Sequence, residues 1–425
     1  MAASIRCICL ILCGLLVAHS EILPGAEWSR FRGPNGSAVS ESKNLPEKWG
    51  DSENLVWKTK LPGHGSSSPI IWQNRVYVTA YSGYGLNRQE PGNKKDLKRH
   101  LICCDLADGR IVWKVEVPSD AAEDNFSGFI RDHGYATSTP VCDGQRLYVF
   151  FGKTGVLAFD LEGKELWKTN VGTGSAMNNW GSGASPILYE NLVIINAAAE
   201  SKSLIALDQE TGKEVWRSPA DNIHGSWSTP ILVDLPGGKT ELVLNVPYEI
   251  WGFNPADGEF RWFAEGLPDR VMCGSVVARD GIVYAVGGRN GSAVAVKAGG
   301  LDDVTKSNTL WKKEVSAYVP SPVLTGDRIY SVTERGVLTI LNVADGDTVL
   351  QKRLPDAGGV YASPIVADGK LYIVTRTNGT FVVSLDGELL SQNQFGDESD
   401  FNASPAVTES KILLRSNEAL YCISK

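Results

Sequence analysis

Apolar and polar positions along this chain group into short runs, and one arrangement of them returns repeatedly. It is clearest from Leu204 to Trp216: the apolar run Leu204-Ile205-Ala206-Leu207, then Asp208-Gln209-Glu210-Thr211-Gly212-Lys213, then Glu214-Val215-Trp216. The first run is β-prone, the middle is turn chemistry in which Gly212 is free to take a positive φ, and the last resumes an extended pattern. The stretch therefore predicts two strands joined by a tight turn. A lone hairpin is marginal in water, so something must cover its apolar faces.

Copies of the same pattern supply the cover. A Ser/Thr-Pro dipeptide or its equivalent recurs at Ser68-Pro69, Thr139-Pro140, Ser185-Pro186, Thr229-Pro230, Ser275-Val276, Ser321-Pro322, Ser363-Pro364 and Ser404-Pro405. From Pro140 onward the markers fall 41 to 46 residues apart; only the first interval, 71 residues, is long. After each marker come an apolar strand, a polar turn such as Asp143-Gly144 or Asp368-Gly369, and an alternating strand such as Arg146-Leu147-Tyr148-Val149. The pattern seen at Leu204 to Trp216 then adds two more strands. A four-stranded meander of this length is the size of a propeller blade.

Aligned third strands give a column of mostly small residues, Cys103, Ala158, Ala206, Gly252, Ala295, Ile340, Ser384 and Cys422. Fourth strands give a tryptophan column, Trp113, Trp167, Trp216, Trp262 and Trp311, lapsing to Leu350 and Ser391. Each indole is expected to pack where the neighbouring sheet offers a small residue. The eighth unit has no fourth strand, whereas Leu55 to Lys60 reads as a fourth strand, with Trp57, that has no third strand before it. Pairing these two orphans removes two exposed edges. The fold expected is all-β: an eight-bladed β-propeller of four-stranded antiparallel blades over residues 54–425, closed by an N-terminal strand. An irregular, aromatic-rich segment at 21–53 is expected to pack onto it.

The pattern Ala-x-Asp-x-x-Thr-Gly-Lys/Glu-x-x-Trp, best at Ala206 to Trp216, resembles the tryptophan-docking motif of PQQ-type quinoprotein repeats, over roughly residues 54 to 425. The lead-in Phe31-Arg32-Gly33-Pro34 is similar to segments preceding such propellers in secreted bacterial proteins. The resemblance implies one of two functions. Some members are periplasmic dehydrogenases carrying pyrroloquinoline quinone (PQQ) and calcium. Others are binding scaffolds without cofactor, such as the outer-membrane barrel-assembly lipoprotein.

Composition narrows the field further. A formal charge of -8 with no dominant Lys/Arg block argues against a nucleic-acid partner. Arg6, the apolar run Ile8 to Val17 and Ala18-His19-Ser20 fit a signal peptide over residues 1–20, which predicts export to the periplasm or beyond. No later stretch is apolar enough for a membrane span. Beyond the signal the cysteines are Cys103, Cys104, Cys142, Cys273 and Cys422, an odd and irregular set that does not read as a disulfide framework. In some quinoprotein dehydrogenases adjacent cysteines bridge over the quinone. Here Cys103-Cys104 lies in a strand, where successive side chains face opposite ways, and reads as two small core residues.

Candidate chemistry gathers in the loops leading into each first strand, which open around one end of a propeller's channel. His64, His133 and His224 precede Pro69, Pro140 and Pro230 by five to seven residues, and the same loops carry Asn179, Trp180, Trp227, Tyr318 and Tyr361. These residues are the candidate ligand-binding mouth; no catalytic residue and no metal site is assigned. The insertions Tyr81 to His100 and Pro118 to Tyr135 are expected to rise on the same face, the first of them basic. The favoured reading is a monomeric, cofactor-free scaffold binding a small molecule, a peptide or an envelope protein. The alternative is a PQQ- and calcium-dependent dehydrogenase of alcohols or sugars, its quinone near Trp180 or Trp227.

Overall fold

The computed structural model of the protein describes residues 28–119 and 123–425; the signal peptide read at 1–20 lies outside them. Eight antiparallel meanders form eight sheets. Blade 3, for example, is Ile187–Tyr189, Leu192–Ala197, Ser203–Asp208 and Glu214–Pro219, hydrogen bonded in that order. Blade 8 takes three strands from the C-terminal end, Ala406–Thr408, Lys411–Arg415 and Ala419–Ile423, and its fourth from Leu55–Lys60. Trp57 there sits opposite Cys422, so the closing strand lies in the register the two orphan half-units predict. Blades 4 and 7 each gain a short fifth strand, Asp302–Asp303 beside Phe260–Glu265 and Val39–Ser40 beside Ile365–Ala367.

The tryptophan column works differently from the expectation. Ala206 is the cross-strand partner of Trp216 in the same blade, as Ala158 is of Trp167 and Gly252 of Trp262. The small residue therefore makes room on the indole's own sheet. A methyl added at Gly252 would lie 2.2 Å from Trp262 Cε2. Blade 7 departs from the alignment: Ser391 faces Val382, with Ser384 two residues further along. In every blade the register shifts at this point of the fourth strand. Such a bulge turns the bulged strand locally and re-aims its side chains. The residue before the indole becomes the exposed one, as at Val215, Leu166 and Leu310.

What the neighbouring blade offers is a turn. Trp57, Trp113, Trp167, Trp216 and Trp311 donate from Nε1 to carbonyls of the next blade, at Leu106, Leu161, Gln209, Pro255 and Val343, over 2.9 to 3.1 Å. The turn glycine of that blade lies against the indole face. A Cβ on Gly212, whose φ is +68°, would meet Trp167 Cδ2 at 2.5 Å. Only a residue without a side chain tolerates both that backbone and that approach.

At the inner radius the Ser/Thr-Pro markers do a second job. The backbone N–H of Ser68 donates to Thr139 Oγ1 at 2.9 Å, Thr139 to Ser185, Ser185 to Thr229, Thr229 to Ser275, Ser275 to Ser321, Ser321 to Ser363 and Ser363 to Ser404. Ser404 N–H closes the circle on Ser68 Oγ at 3.1 Å. Eight buried N–H groups that lie between sheets are thereby satisfied by eight hydroxyls. Ser275 keeps its place although Val276 replaces the proline, so the hydroxyl is the constant element.

Residues 28 to 50 are the segment that closes the far end of the channel. Trp28 bridges to Ile71 of blade 1, and Ser29 O accepts from Cys142 N–H of blade 2. Asn35 Nδ2 reaches Leu232 O of blade 4 at 2.9 Å, and Val39–Ser40 then pairs with the first strand of blade 7. The chain thus crosses the channel from one side to the other. Gly33, at φ +66°, permits the crossing, since a Cβ there would lie 2.6 Å from the Trp28 ring.

Candidate functional site

At the marker end the channel opens into a recess of about 990 Å³, counting the part open to solvent. All eight ring hydroxyls line it, and Phe31, projecting from the crossing segment, lines it too. Its walls include Phe129, Trp180, Trp227, Tyr318 and Tyr361, with His133, Asp132, Cys273 and Asn402 among them. The recess is therefore blind, apolar in its walls and ringed by hydroxyls.

Each wall residue is held by its loop. Trp227 Nε1 donates to Gly181 O at 2.7 Å, and its ring sits 5.6 Å from that of Trp180, tilted by 37°. Phe129 meets Trp180 edge-on at 4.5 Å. Arg289 stacks over Tyr318 at 4.6 Å and over Trp180 at 5.7 Å, and its Nη2 donates to Tyr318 Oη. Arg376 stacks over Tyr361 at 4.6 Å. Two guanidiniums thus back the aromatic wall, an arrangement favoured by the negative face of the ring.

The two insertions build one side of the mouth and share a small core of Tyr81, Tyr84, Leu97, Phe126, Ile130, Tyr135 and Ala136. The one-turn helix Ile130–His133 follows Phe129, and its Asp132 and His133 reach the recess. The basic run of the first insertion is largely spent on acids. Arg88 pairs with Asp132 at 2.9 Å, buried Arg99 with Glu123 at 2.9 Å, and Lys98 with Glu116 at 2.7 Å. Arg376 joins Asp132 to Asp400. Beside this lies a buried polar cluster, in which Lys153 meets Asp124 at 2.9 Å and Ser182 donates to Glu200. Burial raises the Glu200 carboxyl to about 7.

Of the sequence candidates, His133, Trp180, Trp227, Tyr318 and Tyr361 come together on the recess. His64, Asn179 and His224 lie elsewhere. His64 turns to Glu418 of blade 8 at 3.2 Å, Asn179 is exposed on the 3-10 turn Met177–Asn179, and His224 Nε2 bonds to Ser175 O at 2.9 Å. The three histidines do not converge. Sequence reading also passes over Phe31, Phe129, Arg289 and Arg376, because each is brought in by a loop or segment from a different blade.

Two ionisable groups facing the recess stay uncharged. Desolvation lowers the His133 pKa, and its Nε2 lies 2.7 Å from Trp180 O while Nδ1 lies 2.7 Å from Thr137 Oγ1. A carbonyl only accepts, so the proton sits on Nε2 and Thr137 donates to Nδ1. Burial pushes the Cys273 thiol up to about 12, which keeps it protonated. Asp132 is held between Arg88 and Arg376. Cys103 and Cys104 are free, buried thiols in the third strand of blade 1, away from the recess. The arrangement is suited to hold a flat apolar group, with hydroxyls beneath it and arginines behind the walls.

A closed eight-bladed ring with this motif defines a PQQ-type repeat propeller. The chain matches the family described as outer membrane protein assembly factor BamB over residues 48–175, 97–352 and 303–424, and it belongs to that family. It is 22% identical over 265 residues to the outer membrane protein assembly factor BamB of Yersinia pestis, a match spanning 56% of this chain and 62% of that protein. The chain thus spans less than two thirds of that relative's length. Among solved structures it is similar to BamB from Moraxella catarrhalis, with a TM-score of 0.63 and 13% identity over 87% of this chain and 97% of that one. It is similar as well to the quinohemoprotein alcohol dehydrogenase ADHIIG from Pseudomonas putida HK5, with a TM-score of 0.62 and 11% identity over 94% and 80%. At these identities the structural likeness speaks to the fold.

Proposed function

We propose that this chain is an exported binding scaffold whose recess receives an aromatic or apolar group, carried by a small molecule or by an extended segment of an envelope protein. The observation that carries the reading is the blind recess itself, walled by Trp180, Trp227, Tyr318 and Tyr361 and floored by Phe31. Rigid aromatic walls around a desolvated pocket are where binding energy concentrates. Membership in a family named for outer membrane assembly supports an envelope partner, and the signal read at residues 1–20 supports export. Among the described residues no helix is long and apolar enough to cross a membrane.

The test is a titration of the full mature chain with a fluorescein-labelled peptide of alternating aromatic and polar residues, read by anisotropy. Saturable binding is expected. Trp227→Ala together with Tyr318→Ala should weaken it by about tenfold or more, with the melting temperature nearly unchanged, while His224→Ala leaves it intact. Equal binding by the double variant would refute the site.

The dehydrogenase reading asks for a quinone held with calcium. Calcium takes six to eight oxygen ligands, carboxylates prominent among them. The carboxylate lining the recess is Asp132, already shared by two guanidiniums, and among the described residues no three His, Cys, Asp or Glu side chains form a metal-binding group. The donor set does not fit, and no redox step is assigned to it. Protein mixed with PQQ and calcium should emerge from gel filtration without quinone absorbance.

A further inference from the structure

The segment that closes the channel carries two cations with nothing to neutralise them. Arg30 is 9% exposed and Arg32 1%. Each makes one hydrogen bond, Arg30 Nη2 to Pro230 O at 3.3 Å and Arg32 Nη2 to Pro322 O. Nε of both, and Nη1 of Arg32, are buried without a partner. Among the described residues no carboxylate stabilises either charge, and the two guanidiniums repel each other.

Other buried arginines show how this chain treats a guanidinium. Arg99 meets Glu123. Arg415 faces no carboxylate either, but it donates from both Nη atoms to three oxygens of Ser67 and Thr79, leaving only Nε over. An unpaired buried charge is strongly unfavourable, and two side by side are more so. Burial lowers their pKa values only to about 10 and about 9, so both stay charged at neutral pH. What sets Arg30 and Arg32 apart is three leftover donors on two guanidiniums that repel each other, which calls for an anion, and their burial limits it to something small.

We propose that Arg30 and Arg32 together hold one small inorganic anion, chloride in physiological buffer, in the channel beneath Phe31. The anion accepts from the donors left over at Nε and Nη1 and removes the repulsion between the two side chains. Phe31 stands between the two arginines in sequence and lines the recess, so the bound anion also fixes the floor of the mouth. The anion is held whichever group the recess binds.

Crystals of the mature chain soaked in sodium bromide test this directly. An anomalous peak is expected in contact with both guanidiniums. In solution, replacing gluconate by chloride at constant ionic strength should raise the melting temperature saturably by about 3 °C, and Arg32→Met should abolish that rise. Should Arg32→Met not fold, Arg30→Lys, which keeps the charge but loses the planar fork, should reduce the bromide peak and the chloride response together. Absence of a bromide peak, density for water alone or for a carboxylate of the chain between the guanidiniums, or a chloride response unchanged in the variant that folds would each overturn the proposal.

Discussion

Each blade is joined to the next at two radii, and the two joints follow different rules. At the outer radius five joints use an indole on a turn glycine with an Nε1 hydrogen bond to the next blade. The others improvise. Trp262 bonds its own blade's Glu241 at 2.6 Å, Leu350 lies against Gly387, and Ser391 is bonded to Glu47 of the crossing segment. At the inner radius all eight joints use one hydroxyl and one N–H, without exception. Outer edges diverge, so an extra strand or a passing segment can fill a gap there. Inner strands converge on the channel, where the N–H groups are buried and the hydroxyl of the neighbouring blade is the partner at hand.

The largest effect is expected at Trp262, an outer joint that departs from the rule and yet is fully buried. Its cover is the added strand Asp302–Asp303. Trp262→Ala should cost about 3 to 5 kcal/mol, because it opens a cavity and takes a donor from Glu241, whose carboxyl burial already raises. Urea unfolding measures it. A loss much below that of Trp167→Ala, where the indole is only half-buried, would show that the added strand carries the joint alone.

Next comes the turn glycine. Gly212→Ala should destabilise by roughly 1 to 3 kcal/mol, through the positive φ and the approach to Trp167. The paired change Trp167→Ala in the Gly212→Ala background should recover part of the glycine's cost, since the clash disappears and only the backbone strain stays. Full additivity in thermal melts would mean that the glycine is there for its φ alone.

How much of this was legible in the sequence follows the same division. The eight units, the closing strand and the position of each hydroxyl are local patterns with a period, and periodic patterns are written in the chain. The path of residues 28 to 50 is not, since Arg30, Phe31 and Arg32 take their meaning from blades 4 and 6, about 200 and 290 residues away in sequence. The mouth was half legible. His133, Trp180, Trp227, Tyr318 and Tyr361 reach the recess because aromatic and polar residues in those loops tend to face the channel. His64 and His224 obey the same spacing, but Glu418 and the Ser175 carbonyl draw them aside, and spacing carries no trace of either partner. The room for each indole lies on its own sheet, and the sequence does not show this for a related reason: a column of small residues shows that space exists, whereas only the strand register shows whose space it is.

The smallest effect is expected at the inner ring, and it is the sharpest test of the contrast. Ser321→Ala removes the acceptor of the buried Ser275 N–H, which lies at 2.9 Å, and leaves that group without a partner. Ser321 lines the recess, so water can reach the freed amide and the cost falls at the low end for an unsatisfied buried group, about 1 kcal/mol. Ser321→Thr keeps the oxygen, and Thr139 and Thr229 already occupy equivalent places, so it should be within about 0.5 kcal/mol of the parent. The two variants differ in what they do to one hydrogen bond, and amide exchange at Ser275 should report it: faster in Ser321→Ala, unchanged in Ser321→Thr. If both variants protect Ser275 equally, the ring is held by packing of the first strands and the hydroxyls only decorate it.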